Sequence, residues 1–283
     1  MAMQRREFSW GLAAAALTPL WGCAAVRTPS AAVAQQWQQA LAQIEHRAQG
    51  RLGAALLDTG SGLALGWREE ERFAMCSTFK LPLAGWMLAL VDQGKERLDA
   101  RVQYAVSDVV EYSPVSLSDN TAANVLLARH GGPSALTAYL RTLGDTTTRL
   151  DRNEPTLNEA AVGDPRDTTT PRAMLQTMQK LVLGDALTPA SRATLQRWLV
   201  ETSTGDKRLR AGVPGWKVGD KTGTAGSSGT ANDIGVLWPQ GGGAPVLLTC
   251  FLTQSKAKPE QRDAAIAEVA RSARAAMAAS AAH

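Results

Sequence analysis

Apolar residues at Val33, Trp37, Leu41, Ile44 and Ala48 recur at three- and four-residue steps. That spacing lines one stripe of a helix and predicts a packing helix that stops at Gly50. Leu52 to Asp58 and Leu63 to Trp67 are short apolar runs on either side of Thr59-Gly60-Ser61-Gly62, the pattern of two strands joined in a hairpin. From Ser77 to about Trp198 helical signals dominate, broken by Pro, Gly and polar turns. Trp216 to Thr224, Asp233 to Trp238 and Pro245 to Thr253 then read as three strands joined by glycine-rich turns. Ile266, Val269, Ala273 and Met277 share one face of a last helix, with fraying expected from Ala275 to His283. Helix, strands, helical insert, strands and helix predict an α+β protein, an antiparallel sheet flanked by helices with an inserted all-α domain. The expected division is residues 26–67 with 209–283 as the sheet domain and 68–208 as the all-α domain, a groove lying at their junction.

Residues 1–25 read as an export signal rather than as part of this fold. Arg5 and Arg6 precede an apolar stretch from Trp10 to Trp21, and small residues follow from Gly22 to Ala25. The stretch is shorter than the ~20 apolar residues of a membrane span, and Pro19 interrupts it. No stable span is expected, and the destination is the periplasm or the exterior. Gln4-Arg5-Arg6-Glu7-Phe8 has the look of a loose twin-arginine signal, and Leu20-Trp21-Gly22-Cys23 that of a poor lipoprotein box, so a free and a Cys23-anchored form both stay open.

The 283 residues are 45% apolar and 20% charged, enough to bury a sizeable core. The net charge of +4 is spread along the chain without a basic block, so no nucleic-acid partner is expected. His46, His130 and His283 never fall into a ligand spacing with Cys or Asp, which argues against a metal, and no cofactor is expected. If Cys23 is lost with the signal, only Cys76 and Cys250 remain, too few for a disulfide framework in an oxidising compartment.

The chemistry gathers in three short motifs. Met75-Cys76-Ser77-Thr78-Phe79-Lys80 sets a hydroxyl and an amine three residues apart, which puts them on one face if a helix begins at Ser77. At such a terminus the Ser77 backbone N–H faces a developing oxyanion. Alone, Ser-x-x-Lys equally describes a capping serine and a solvated lysine. Ser118-Asp119-Asn120 and Lys221-Thr222-Gly223-Thr224 follow in that order, without a second copy of any of the three. Together they resemble the motif set of class A serine β-lactamases and penicillin-binding proteins. The resemblance covers nearly all of the chain after the signal and extends to the run from Arg149 to Pro155, to Asn158, to Asp167 and to Thr230-Ala231-Asn232-Asp233.

The resemblance implies the serine β-lactamase/DD-peptidase-like fold, β-lactam substrates, a monomer and a role for each matching residue. Ser77 would be the nucleophile, Lys80 a proton acceptor or relay, and Ser118 the donor to the departing nitrogen. Glu154, sharing a water with Asn158, would be the base that hydrolyses the acyl-enzyme, and the acylation base is left between Glu154 and Lys80. The Ser77 and Thr224 N–H groups would form the oxyanion hole, and Asn120, Thr222 and Lys221 would bind substrate. Arg152 with Asp167 resembles the family's loop-closing ion pair, and Glu154-Pro155 a candidate cis peptide. Tyr112 would form the entrance wall, and Arg208 would help to bind the substrate carboxylate unless it is a plain surface arginine.

Two departures stand out. Cys76 occupies a position that certain carbapenem-hydrolysing relatives bridge to a second Cys, but Ala225 stands where that partner would be. The segment from Val115 to Ser118 is also shorter than in relatives, which insert a helix there. Three readings follow: a β-lactamase, a DD-peptidase or other penicillin-binding protein, and a non-hydrolytic penicillin-binding sensor or decayed paralogue. Glu154 and Asn158 favour the first.

Overall fold

The computed structural model describes residues 28–100 and 119–282. The expected export signal with Cys23, and Tyr112, Ser118 and the short Val115 to Ser118 run, lie outside the described residues.

Among the described residues the main sheet is five-stranded and antiparallel: β1 (Arg51–Asp58), β2 (Ala64–Trp67), β5 (Lys217–Ala225), β6 (Thr230–Trp238) and β7 (Val246–Thr253), in the spatial order β2-β1-β7-β6-β5. These strands read as continuous apolar runs because helices cover both faces. Along β7, Leu247 and Phe251 enter one core, while Val246, Leu248, Cys250 and Leu252 enter the other. The second core holds α1 (Ala31–Ala48) and α8 (Pro259–Ala281) against the sheet. The first lies under α2 (Lys80–Asp92), α3 (Asn120–Arg129), α4 (Pro133–Thr142), α5 (Pro171–Met178) and α6 (Pro189–Val200). The fold is thus α+β, as expected.

Several helices start in the same way. Thr170 before Pro171 and Thr188 before Pro189 accept hydrogen bonds from Ala173 N and Ser191 N, while each proline supplies a helical φ where no N–H is needed. The stop of α1 is at Gln49, in the left-handed region at φ 48, not at Gly50. Gly50 serves a different need, because a Cβ there would lie 2.8 Å from the Thr253 carbonyl oxygen and the Ser255 Cα. The last helix runs on to Ala281 instead of fraying from Ala275, since Ala276 is buried in the α1–α8 layer.

α2 is apolar nearly all round, with Leu81, Leu83, Trp86, Met87 and Leu88 buried, and so runs through the helical layer. Its N-terminus is presented to the sheet edge by a two-stranded ladder in which β3 (Phe73–Ala74) pairs with β4 (Thr168–Thr169). β5 then packs directly on the turn before α2: a Cβ on Gly223 would lie 2.6 Å from the Met75 carbonyl oxygen and 3.2 Å from the Cys76 Cβ. Asn232, the cross-strand partner of Gly223, donates from Nδ2 to the carbonyls of Ala74 at 2.8 Å and Met75 at 3.1 Å. Glycine at 223 is therefore a packing requirement. Gly223→Ala is expected to cost ~1–3 kcal/mol through overpacking against backbone. Calorimetry should show Tm falling by roughly 2–10 °C in a chain of this size. An unchanged Tm contradicts the packing described.

Candidate active site

Ser77 lies in a single 3-10 turn, Cys76–Phe79, that leads into α2; the α-helix itself begins at Lys80, not at Ser77. Three residues per turn eclipse positions i and i+3, so Ser77 and Lys80 meet more directly than on an α-helix. Lys80 Nζ donates to Ser77 Oγ at 3.2 Å. Cys76, just before, is held in the left-handed region at φ 46, a strained setting for a non-glycine residue that the Asn232 and Gly223 contacts secure. Burial pushes its thiol up to about 12, so it packs rather than reacts. Cys250 is likewise a buried free thiol.

Glu154 comes from the 150–167 loop, and Glu154-Pro155 is cis, as the sequence suggested. Ser77 Oγ donates to Glu154 Oε1 at 3.0 Å, Lys80 Nζ lies 3.1 Å from the same oxygen, and Asn158 Nδ2 donates to Oε2 at 2.5 Å. The Glu154 side chain has no exposed surface. Burial lowers the pKa of Lys80, with the Glu154 charge opposing the shift. Asn120, at the start of α3, accepts from Lys80 through Oδ1. Asn158 Oδ1 is buried and has no partner among the described residues.

The loop is tied at several points. Arg152 Nε donates to Asp167 Oδ2 at 2.6 Å, while Asp167 Oδ1 accepts from the backbone of Asp151 at 2.7 Å and Arg152 at 2.9 Å. Met75 N donates to the Asp167 carbonyl at 2.9 Å, joining the loop's far end to the Ser77 turn. Asn124 grips Glu154 from both sides, accepting from its N–H at 2.9 Å and donating to its carbonyl at 2.8 Å. Sequence reading missed Asn124. The signal was available, since it lies four residues after Asn120 and so on the same face of α3.

β5 forms the opposite wall. Lys221 is buried and donates to the Thr222 carbonyl at 2.9 Å, and burial together with the Lys80 charge lowers its pKa to about 8. Thr222 Oγ1 pairs with Thr204 Oγ1 at 2.8 Å, and Thr224 is exposed at the strand's end. Arg208 is no surface arginine. It is buried behind β5, where Nε donates to Asp263 Oδ1 at 2.7 Å, Nη1 to the carbonyls of Gly223 and Asn232, and Nη2 to Thr224 Oγ1 at 2.8 Å. Beneath Lys221, burial pushes the carboxyls of Asp220 and Asp233 upward. Arg210 opposes the shift at Asp220, whereas at Asp233 burial and the Asp220 charge raise the pKa well above the usual range. Among the described residues no group of three His, Cys, Asp or Glu could hold a metal, and no helix is long and apolar enough to cross a membrane.

Comparison with known proteins agrees with this geometry. Residues 36–277 match the model of the β-lactamase enzyme family. Beta-lactamase L2 of Stenotrophomonas maltophilia is 44% identical, over 96% of this chain and 98% of its own. Beta-lactamase CTX-M-25 of Escherichia coli is 45% identical, over 86% of this chain and 90% of its own. Among solved structures, an ancestral class A β-lactamase superposes with a TM-score of 0.82 at 56% identity, covering 85% of this chain and 99% of that one. A putative class A β-lactamase, PenP from Rhodopseudomonas palustris, gives a TM-score of 0.82 at 53% identity, over 87% and 100%. The fold and the comparisons together place the chain in the β-lactamase enzyme family, as a serine β-lactamase of class A. It is a hydrolase of the cyclic amide bond.

Removing the Asn124 grip should loosen Glu154. Asn124→Ala leaves a buried N–H and a buried carbonyl unpaired at ~1–3 kcal/mol each. We expect a lower Tm and a turnover rate reduced at least about tenfold, the loss of a ~1.4 kcal/mol positioning effect. Wild-type turnover together with a wild-type Tm contradicts the assignment.

Proposed function

We propose that the chain hydrolyses β-lactam antibiotics through an ester on Ser77, cleared by a water that Glu154 activates, and so confers resistance to them. The observation that carries this reading is the position of Ser77 Oγ, within hydrogen-bond reach of both the Lys80 ammonium and the Glu154 carboxylate. Ser77 Oγ attacks the strained carbonyl as its proton leaves to the Glu154 carboxylate or to Lys80 in its neutral amine form, which burial favours, so acylation has two available bases. The ring C–N bond then breaks and the nitrogen takes a proton through Ser118. In the second half-reaction a water gives its proton to Glu154 and its oxygen to the acyl carbon, and the serine leaves with a proton restored. The unpartnered Asn158 Oδ1 beside Glu154 supports a water site there.

The other roles are assigned on the same footing. Ser77 and Thr224 N–H groups hold the oxyanion, which the direct packing of β5 on the Ser77 turn supports. Lys221 attracts the substrate carboxylate, and Thr222 and Thr224 line its path. Arg208 reaches that path through the Thr224 hydroxyl and lends it positive charge. Asn120 orients Lys80 and the substrate side chain, Tyr112 forms the entrance wall, and the Arg152–Asp167 pair fixes the Glu154 loop. β5 ends the sheet among the described residues and can accept an extended substrate edge to edge. We also propose that residues 1–25 export the chain, that it acts as a monomer, and that 26–67 with 209–283 form one domain and 68–208 the other. The core between the sheet and the α1–α8 layer is built wholly from 26–67 and 209–283, which supports that division.

Purified protein mixed with excess chromogenic cephalosporin should give many turnovers per enzyme, and Ser77→Ala should reduce turnover by at least ~10³-fold. A single stoichiometric burst contradicts hydrolysis, and unchanged turnover in the variant removes Ser77 as nucleophile. The pH dependence follows from Lys221. Its ammonium is present below about 8 and lost above it, so KM should rise with pH beyond that value while kcat changes less. Lys221→Arg, which stays charged, should remove that alkaline rise in KM. A KM flat across neutral and alkaline pH in the parent contradicts the assignment.

A further inference from the structure

Away from the Ser77 groove, a cavity of about 310 Å³ opens between α4 and the first stem of the 150–167 loop, with Arg72, Arg141, Arg149 and Asp151 in its wall. Its charges do not cancel. Arg149 and Asp151 neutralise each other, Arg149 Nε donating to Asp151 Oδ2 at 2.9 Å. Among the described residues the guanidinium partners of Arg72 and Arg141 are all neutral. Arg72 Nη1 donates to the Thr147 carbonyl at 2.9 Å and to Thr168 Oγ1 at 3.0 Å, and Arg141 Nη1 donates to the carbonyls of Asp145 and Thr148. Among the described residues a single guanidinium nitrogen makes every side-chain hydrogen bond of each, while a guanidinium carries five N–H donors in a fork suited to tetrahedral oxyanions. Exposed hydroxyls of Ser134 and Thr146 line the same cavity.

A second cavity, of about 140 Å³, touches Arg72 from its other side, but its charges are already matched: Arg51 pairs with Glu71 and Arg166 with Asp164. The unmatched double positive charge therefore belongs to the larger cavity. With liquid water occupying about 30 Å³ per molecule, that volume holds a tetrahedral oxyanion and a small organic substituent. We propose that this cavity is a binding site for a phosphate-type dianion, gripped between Arg72, just before β3, and Arg141 on α4. Bound there, the anion ties the segment leading to Ser77 to α4 and to the stem of the loop that carries Glu154. The site involves none of the residues assigned to β-lactam hydrolysis, so it stands or falls independently of that mechanism.

The test is a titration of the whole protein at fixed ionic strength with inorganic phosphate and, separately, with glycerol 3-phosphate, read by ³¹P line broadening and by Tm. Each ligand should bind saturably at one site with a Kd of ~1 mM or tighter and raise Tm. Arg141→Gln should weaken binding at least tenfold. Thr146→Glu puts a carboxylate into the cavity at an exposed position whose hydroxyl has no described hydrogen bond, so it should fold and lose binding. Arg166→Gln, in the smaller cavity, should leave binding unchanged. Cephalosporin turnover in every variant reports that it is folded. The proposal is overturned by absence of saturable binding, by binding that survives in folded Thr146→Glu, or by binding that depends on Arg166 instead.

Discussion

A carboxylate without exposed surface sits 3.0 Å from a serine hydroxyl, and much of the architecture exists to hold it there. Burying an ion costs several kcal/mol even after relaxation, unless a partner charge and hydrogen bonds replace its water. Glu154 receives the Lys80 ammonium, the Ser77 hydroxyl and the Asn158 amide. Lys80 is in turn moderated by burial and held by Asn120. Two of the groups that stabilise the carboxylate, Ser77 and Lys80, are also the proposed nucleophile and its proton relay. Electrostatic necessity and chemistry coincide at this point.

The cluster survives because its members ride on rigid elements. Ser77 and Lys80 sit at the entrance to a buried apolar helix, and Glu154 sits on a loop whose far end is tied to that entrance. The β3–β4 ladder and the bond from Met75 N to the Asp167 carbonyl fix one end, and Asn124 fixes the middle. β5 closes the arrangement only because residue 223 lacks a side chain. The strained backbone at Cys76 is the local cost of aiming the next residue into the groove, offset by the sheet contacts around it.

Where the chain's chemistry is local, the sequence was legible. The strands appeared as apolar runs because both faces of the sheet are covered, and Ser-x-x-Lys spacing already put Ser77 and Lys80 on one face. What stayed hidden depended on partners far along the chain. Arg208 could be read as surface or site, since only the tertiary fold places it behind β5 with Asp263. Asn124 shares a face of α3 with Asn120, but what it clamps is visible only in the fold, because its partner is the backbone of a residue 30 positions later. The alanine-rich end of α8 looked too weakly apolar to hold, yet small side chains pack closely in the α1–α8 layer. The end of α1 was placed one residue late because glycine is the usual left-handed residue, whereas Gln49 adopts that conformation here.

In the proposed mechanism the two half-reactions have different needs: Lys80 supports acylation, whereas hydrolysis of the ester needs Glu154. Intact-mass spectrometry of Glu154→Ala after mixing with a penicillin tests that division most directly. The account predicts a persistent adduct of one antibiotic molecule per chain, absent when Ser77 is also replaced by alanine. Failure of any adduct to accumulate in the folded Glu154→Ala protein would contradict it, because Glu154 would then be required before the ester exists.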